Sequence, residues 1–255
     1  THDNLYYPSP YLGDELEGTI QVFPMKTLPA EAPGTAAAAV RYQGHGAHAE
    51  LWYYNFYDFA QLEYLDGGYT FGVQDASWRP YLDAQYMHES GGDYLTRYHA
   101  TLFGLGGNVD TTAWGLRGGV KFGATGLSVS YNDLEHHTGS FGGGAIVSPY
   151  GNRDALYASA MTAYLLKYGP GGALKLAGTH SFLHHSIKLQ LAALEFHTNY
   201  SGHSDTLYFD GTYLFRGALH GLQIRDRLAW DNGAQLNGGH ALMYDRLMVQ
   251  YKFSI

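Results

Sequence analysis

The chain has 255 residues, 15 Lys and Arg against 23 Asp and Glu for a formal charge of −8, 34 glycines and no cysteine. That length suits a single all-β domain, and the missing cysteines exclude disulfide scaffolds, thiolate metal sites and thiol nucleophiles. The acidic balance, with no Lys/Arg cluster, excludes nucleic acid as a partner; no apolar run approaches the ~20 residues of a spanning helix.

Residues 1–34 carry five of the eight prolines. They read as an irregular N-terminal segment with one weak strand over Thr19–Phe23. From there a two-residue period dominates. Ala36–Tyr42, Ala47–Tyr57, Ala60–Tyr69, Arg79–His88 and Tyr94–Phe103 are strand candidates, separated by turn residues such as Gly44-His45-Gly46, Asp66-Gly67-Gly68 and Gly91-Gly92-Asp93. Trp114, Leu116, Gly118, Val120 and Phe122 then face away from Arg117 and Lys121, and Leu127, Val129 and Tyr131 away from Ser128, Ser130 and Asn132. A long Gly-rich loop follows, about 136–155. Beyond it come Leu156–Tyr168, Ala173–Phe182 and Lys188–Tyr200. Leu207, Phe209, Gly211, Tyr213 and Phe215 oppose Thr206, Tyr208, Asp210 and Thr212. Leu222, Ile224, Leu228 and Trp230 oppose Gln223, Arg225, Arg227 and Asp231, with Asp226 breaking the apolar face. The last run sets Leu247, Val249, Tyr251, Phe253 and Ile255 against Arg246, Met248, Gln250, Lys252 and Ser254.

The count is roughly 12–14 strands, at about 20 residues per strand and connection. Several runs reach the ~9–11 residues of a tilted membrane strand. Three features separate a transmembrane barrel from a soluble sandwich. Aromatics gather near strand ends, as in Leu51-Trp52-Tyr53-Tyr54-Asn55-Phe56-Tyr57, which suits an interfacial girdle. The strands are long and joined mainly as hairpins. The face opposite the apolar one carries Arg, Lys, Asp and Gln, too polar for a dry sandwich core. The expected fold is an all-β, antiparallel, up-and-down transmembrane barrel in one domain over residues 1–255.

Several segments resemble the C-terminal part of the OprD-type outer-membrane porins of Gram-negative bacteria. They are Ala49-Glu50-Leu51-Trp52-Tyr53-Tyr54, Asp110-Thr111-Thr112-Ala113-Trp114-Gly115-Leu116 running into Phe122-Gly123, and the loop Phe141-Gly142-Gly143-Gly144-Ala145-Ile146-Val147-Ser148-Pro149-Tyr150. The ending Gly221-Leu222-Gln223-Ile224-Arg225-Asp226-Arg227 with Tyr251-Lys252-Phe253 adds to them. The likeness is diffuse and spans most of the chain. Members of that family are larger barrels of about 18 strands with a basic ladder through the pore. The resemblance therefore implies an N-terminally incomplete chain. Outer-membrane barrels usually finish on an aromatic residue, and here Phe253 precedes the final Ile255 by two places.

As a porin the chain would act passively in the outer membrane, in contact with its lipid, as monomer or trimer. It would pass small, carboxylate-type anions with no cofactor and no metal. Basic side chains in a wet lumen attract such solutes, and guanidinium groups bind carboxylates in bidentate fashion. Strand parity nominates Arg117, Lys121, Arg225, Arg227, Arg246 and Arg41, then Lys167, Lys175 and Lys252. The alternative is that they brace the wall against Asp83, Asp210, Asp226 or Glu195. Gly142, Gly143, Gly144, Ile146 and Pro149 mark a loop that, folded inward, would constrict the pore.

Fourteen histidines raise other chemistries. His136-His137 beside Glu135, and His180 with His184-His185, fit no recognised zinc spacing. An outer-membrane phospholipase-like hydrolase needs a Ser–His pair. Thr179-His180-Ser181 places neighbours on opposite faces of a strand, so neither it nor His184-His185-Ser186 forms a dyad alone. A complete 12-stranded porin for acidic oligosaccharides, and a non-conducting adhesin or anchor, are the remaining readings.

Overall fold

A computed structural model describes residues 35–57, 60–72, 77–91, 108–146, 155–234 and 238–252. The expectations for residues 1–34, Tyr94–Phe103, Val147–Pro149 and Phe253–Ile255 lie outside these, as does the Lys167 side chain. Among the described residues eleven strands follow one another in chain order: β1 (Thr35–Gly44), β2 (Ala47–Phe56), β3 (Ala60–Thr70), β4 (Trp78–Gly91), β5 (Val109–Phe122) and β6 (Thr125–Leu134). After a long connection come β7 (Gly171–Phe182), β8 (Ile187–Thr198), β9 (Gly202–Leu214), β10 (Leu222–Asn232) and β11 (Leu242–Tyr251). Each pairs antiparallel with its neighbours, in the order β1 to β11, as an up-and-down meander.

Local chemistry explains the tight ends. β1 and β2 join through His45 and Gly46, at φ 52° and 82°. Two consecutive positive-φ residues make the hairpin turn that matches strand twist. A Cβ at Gly46 would also stand 2.8 Å from the Thr70 carbonyl, which leaves glycine as the residue that fits. Connections at this end of the sheet are short. The opposite end carries the long ones, residues 92–108, 135–170 and 233–241.

Register assigns the faces. Val40, Leu51, Leu65, Tyr86 and Trp114 form one cross-strand row, and Leu82, Val129 and Leu176 belong to another on the same side. These residues are exposed, Val40 at 71% and Leu176 at 63%. An apolar band this continuous on an outer surface exceeds what soluble monomers carry. Asp226 interrupts the band opposite Leu247 and Gly211, as do Asp245 opposite Leu228 and Glu63 opposite Tyr53.

The other face wraps around the connection between β6 and β7. Leu156, Ala158, Met161, Tyr164, Leu165 and Tyr168 of this connection are buried in one cluster with Met87 of β4, Ala113 of β5, Phe196 of β8, Tyr208 of β9 and Ala229 of β10; Leu62 and Tyr64 of β3 and Tyr244 of β11 pack against it. In a flat sheet β3 and β11 would lie about 38 Å apart, eight strand spacings. A single short segment reaches all of these strands because the sheet curves around it as a barrel wall. Among the described residues, β1 pairs only with β2 and β11 only with β10, and both edge strands are exposed along nearly their whole length.

One expected strand is corrected. Leu156–Tyr168 contains no strand; it is an irregular inward segment ending in a helical turn, Leu165–Tyr168. Its burial alternates only over Leu156–Ala160, and every described side chain from there to Tyr168 is buried. Short apolar runs do not reveal by period alone whether they are strands or buried irregular chain.

Candidate functional site

The candidate site is the inner wall where β1 to β6 meet the inward connection. Along β4 the inward residues are Arg79, Tyr81, Asp83 and Gln85; opposite them on β5 stand Lys121, Gly119, Arg117 and Gly115. Asp83 accepts two contacts from Arg117, from Nε and from its terminal nitrogen, both 2.8 Å. The Arg117 guanidinium lies 4.2 Å from the Tyr157 ring centre and 5.9 Å from that of Tyr81. The Lys121 ammonium lies 5.2 Å from the Tyr81 ring. The ring faces attract these cations electrostatically.

Tyr157 of the connection touches this wall at Asp66 and Arg117. Its hydroxyl donates to Asp66 of β3. Burial first, and that hydrogen bond second, push the Tyr157 phenol well above its ordinary range, so it stays protonated as a donor. His48 Nε2 approaches Asp66 at 3.3 Å and Asp83 at 3.9 Å. Gly68 lies between them: a Cβ there would stand 2.0 Å from Asp83 Oδ1 and 2.7 Å from the His48 ring. The missing side chain makes room for a carboxylate lying flat on the wall.

Toward the long-connection end the inner segment is pinned through its backbone carbonyl and N–H groups. Thr111 donates to the Ala145 carbonyl at 2.7 Å, Asn132 accepts from the Ala158 N–H at 2.8 Å, and Lys175 donates to the Ser159 carbonyl at 2.6 Å. Tyr200 donates to the Gly142 carbonyl. Gly142 and Ile146 are thereby buried, and Gly143 and Gly144 hold φ 66° and 100°. Pro149 lies outside the described residues.

Toward the short-turn end the wall opens into a cavity of about 650 Å³, lined among others by His45, His48, Arg79, Asp83, Arg117 and Lys121. Among the described lining residues, Arg79, Arg117 and Lys121 face one carboxylate, Asp83. Arg79 was not among the residues nominated from sequence, although alternation with Tyr81 and Asp83 places it on the same face.

All six nominated basic residues lie on the inward face by register. Four of them are paired. Arg41 bonds Glu50 at 2.9 Å. Arg117 bonds Asp83. Arg225 and Arg227 share Asp210, through Nε at 2.8 and 3.2 Å, and Tyr208 donates to the same carboxylate at 2.7 Å. Arg246 stands opposite Arg227 on β11. Two carboxylates weighed as braces are corrected: Glu195 pairs in register with Leu174, and Asp226 with Leu247, so both point outward, away from the arginines. The aromatic run of β2 also divides. Leu51 and Tyr53 face outward, whereas Trp52, Tyr54 and Phe56 form an inward row with ring centres 5.7 Å apart and nearly parallel planes. An interfacial girdle accounts for only the outward half.

The histidine groups fall apart. His137 sits at the long-connection end, bonded to Asp110 at 2.9 Å. His180 is at the other end against Thr125 Oγ1 at 2.7 Å. His180 and Ser181 pair with Leu189 and Lys188 respectively, on opposite faces of β7, so they form no dyad.

No protein-family model matches the sequence, and a search of curated proteins finds no match. Solved structures do match in fold. OccAB3 of Acinetobacter baumannii has a TM-score of 0.67 at 16% identity, covering 86% of this chain and 55% of that one. OccK5 (OpdH) of Pseudomonas aeruginosa gives 0.64 at 13%, covering 85% and 57%. The outer membrane protein OprD from the same organism gives 0.60 at 14%, covering 84% and 59%. The chain thus spans 55–59% of the length of these three proteins, and its fold is that of part of an OprD/Occ-type barrel.

Proposed function

We propose that this chain forms part of a Gram-negative outer-membrane porin, a passive channel for small solutes that favours carboxylate-bearing anions. The observation that carries the reading is the wall itself. An apolar band covers the outside, while Arg79, Arg117 and Lys121 open into a cavity against the single carboxylate of Asp83. A charge cluster of one sign in a recess with low-dielectric walls concentrates counter-ions. It holds them loosely enough to pass on. The paired arginines contribute less than their number suggests, because each shared acid cancels one charge. Arg225 and Arg227 around Asp210 retain a net single positive charge.

On this reading the Gly142–Ile146 turn and the Leu156–Tyr168 segment narrow the passage. Tyr157 forms the tip that touches both Asp66 and Arg117. Lipid leaves no sheet edge unpaired, so β1 and β11 would pair with strands beyond the eleven described here. The inward ring row Trp52–Tyr54–Phe56 offers an apolar face for the carbon skeleton of a passing acid.

The test is planar-bilayer recording of the full-length protein under a salt gradient. The reversal potential is expected to show anion preference, reduced in an Arg79→Gln/Lys121→Gln variant. A cation preference, or one that these substitutions leave unmoved, would overturn the proposal.

A further inference from the structure

A second cluster lies on the other side of the wall, away from the channel. Near the long-connection end, β8 and β9 place His197 directly opposite His203 and Glu195 directly opposite Asp205. Residues two apart on one strand share a face, so all four side chains project from the outer surface. The metal-ligating atoms of Glu195, His197 and His203 lie within 4.8 Å of one another. Glu195 Oε1 stands 2.8 Å from His197 Nε2 and 3.9 Å from His203 Nε2, and Asp205 Oδ1 stands 3.4 Å from His203 Nε2. Donors held about 2.0–2.1 Å from a tetrahedral zinc ion are about 3.3 Å apart, inside that range.

We propose that Glu195, His197 and His203 bind a divalent transition-metal ion, Zn²⁺ by the chemistry of the donors, with water completing the shell. Two imidazoles and one carboxylate make a set that suits zinc rather than magnesium or calcium, which take all-oxygen shells. The imidazole rings meet at 82° with centres 4.5 Å apart, and both Nε2 atoms turn toward Glu195 Oε1. The hairpin is held from beneath: the Ser201 N–H donates to Thr198 Oγ1 at 3.2 Å, and the Asn199 N–H to the Pro170 carbonyl at 2.8 Å. A support that is ordered before the ion arrives lowers the cost of binding it. Both imidazoles are more than half exposed, which gives an ion direct access.

The position gives the site a mechanical consequence. In the next register row toward the sheet centre the outward residues are Ala193 and Leu207, members of the apolar band. The ion therefore sits where that band ends, clipping β8 to β9 at the rim. Ion binding itself does not depend on the channel reading.

The experiment uses full-length protein in detergent micelles, stripped with chelator and titrated with Zn²⁺ alone against a chromophoric competitor. Because the chain has fourteen histidines, the comparison between variants is decisive. Wild type is expected to bind one equivalent that His197→Gln/His203→Gln loses. Glu195→Gln should weaken that equivalent at least about tenfold, while single-channel conductance, set on the inner face, stays at the wild-type value. Equal zinc stoichiometry and affinity in wild type and the double variant would overturn the site. If the double variant does not fold, Glu195→Gln decides alone, and unchanged affinity in it counts equally against the proposal.

Discussion

Replacing Asp210 with asparagine removes the one negative charge shared by Arg225 and Arg227 while keeping the shape of the wall. A unit charge about 7 Å from a passing ion contributes about 0.6 kcal/mol in water. Removing it favours an anion and disfavours a cation by that amount each, so the two effects multiply in the permeability ratio. With Debye screening, the anion-to-cation ratio should rise about fivefold in 10 mM salt, about twofold at 0.15 M, and scarcely at all at 1 M. Arg225→Gln/Arg227→Gln leaves Asp210 unopposed and must move the ratio the other way. Reversal potentials across a salt gradient, read at three ionic strengths, measure both. The cost in stability should be about 1–3 kcal/mol, from the lost charge-assisted hydrogen bonds. If Asp210→Asn and the double arginine variant shift selectivity in the same direction, or neither shifts it at low salt, these residues brace the wall and do not face the solute path.

Tyr157→Ala is expected to raise single-channel conductance, because it removes the side chain between Asp66 and Arg117 while the buried Leu156, Leu165 and Tyr168 keep the segment seated; unchanged conductance would place the narrowest point elsewhere. Gly68→Ala puts a Cβ 2.0 Å from Asp83 Oδ1 and should cost about 1–3 kcal/mol through overpacking, seen as a lower urea midpoint for unfolding. The hydrogen bond to Asp110 holds the His137 imidazole above its usual pKa. Its folded value exceeds the unfolded one, so its contribution is complete below the ordinary imidazole range and disappears as pH rises through the folded value. An NMR titration should show a raised midpoint for His137 that falls in Asp110→Asn, with Glu135 at 3.5 Å keeping part of the rise.

The order and faces of the strands were legible because a half-buried strand has a strict period of two. Leu247 and Val249 against Arg246, or Leu116 against Arg117, fix an outward and an inward side without knowledge of any neighbour. The same parity applied to Arg79, Tyr81 and Asp83 would have added Arg79 to the basic set. Whether those cations stand free was not legible. Arg117 meets Asp83 across 34 residues, and Arg225 meets Asp210 across 15, through registers set by the whole sheet.

The fate of Leu156–Tyr168 was likewise a tertiary outcome. Its apolar residues suit a strand, a helix or a plug equally, and only the curvature of nine strands around them supplies the surface that buries them. The Glu195–His197–His203 group shows the same division. Spacing on β8 puts Glu195 and His197 on one face, but His203 joins them only because the hairpin closes with those residues opposite one another. One-dimensional pattern determines which side of a sheet a residue occupies. Which charges neutralise each other, and what fills the interior, depend on distances between strands, and those exist only once the wall has curved.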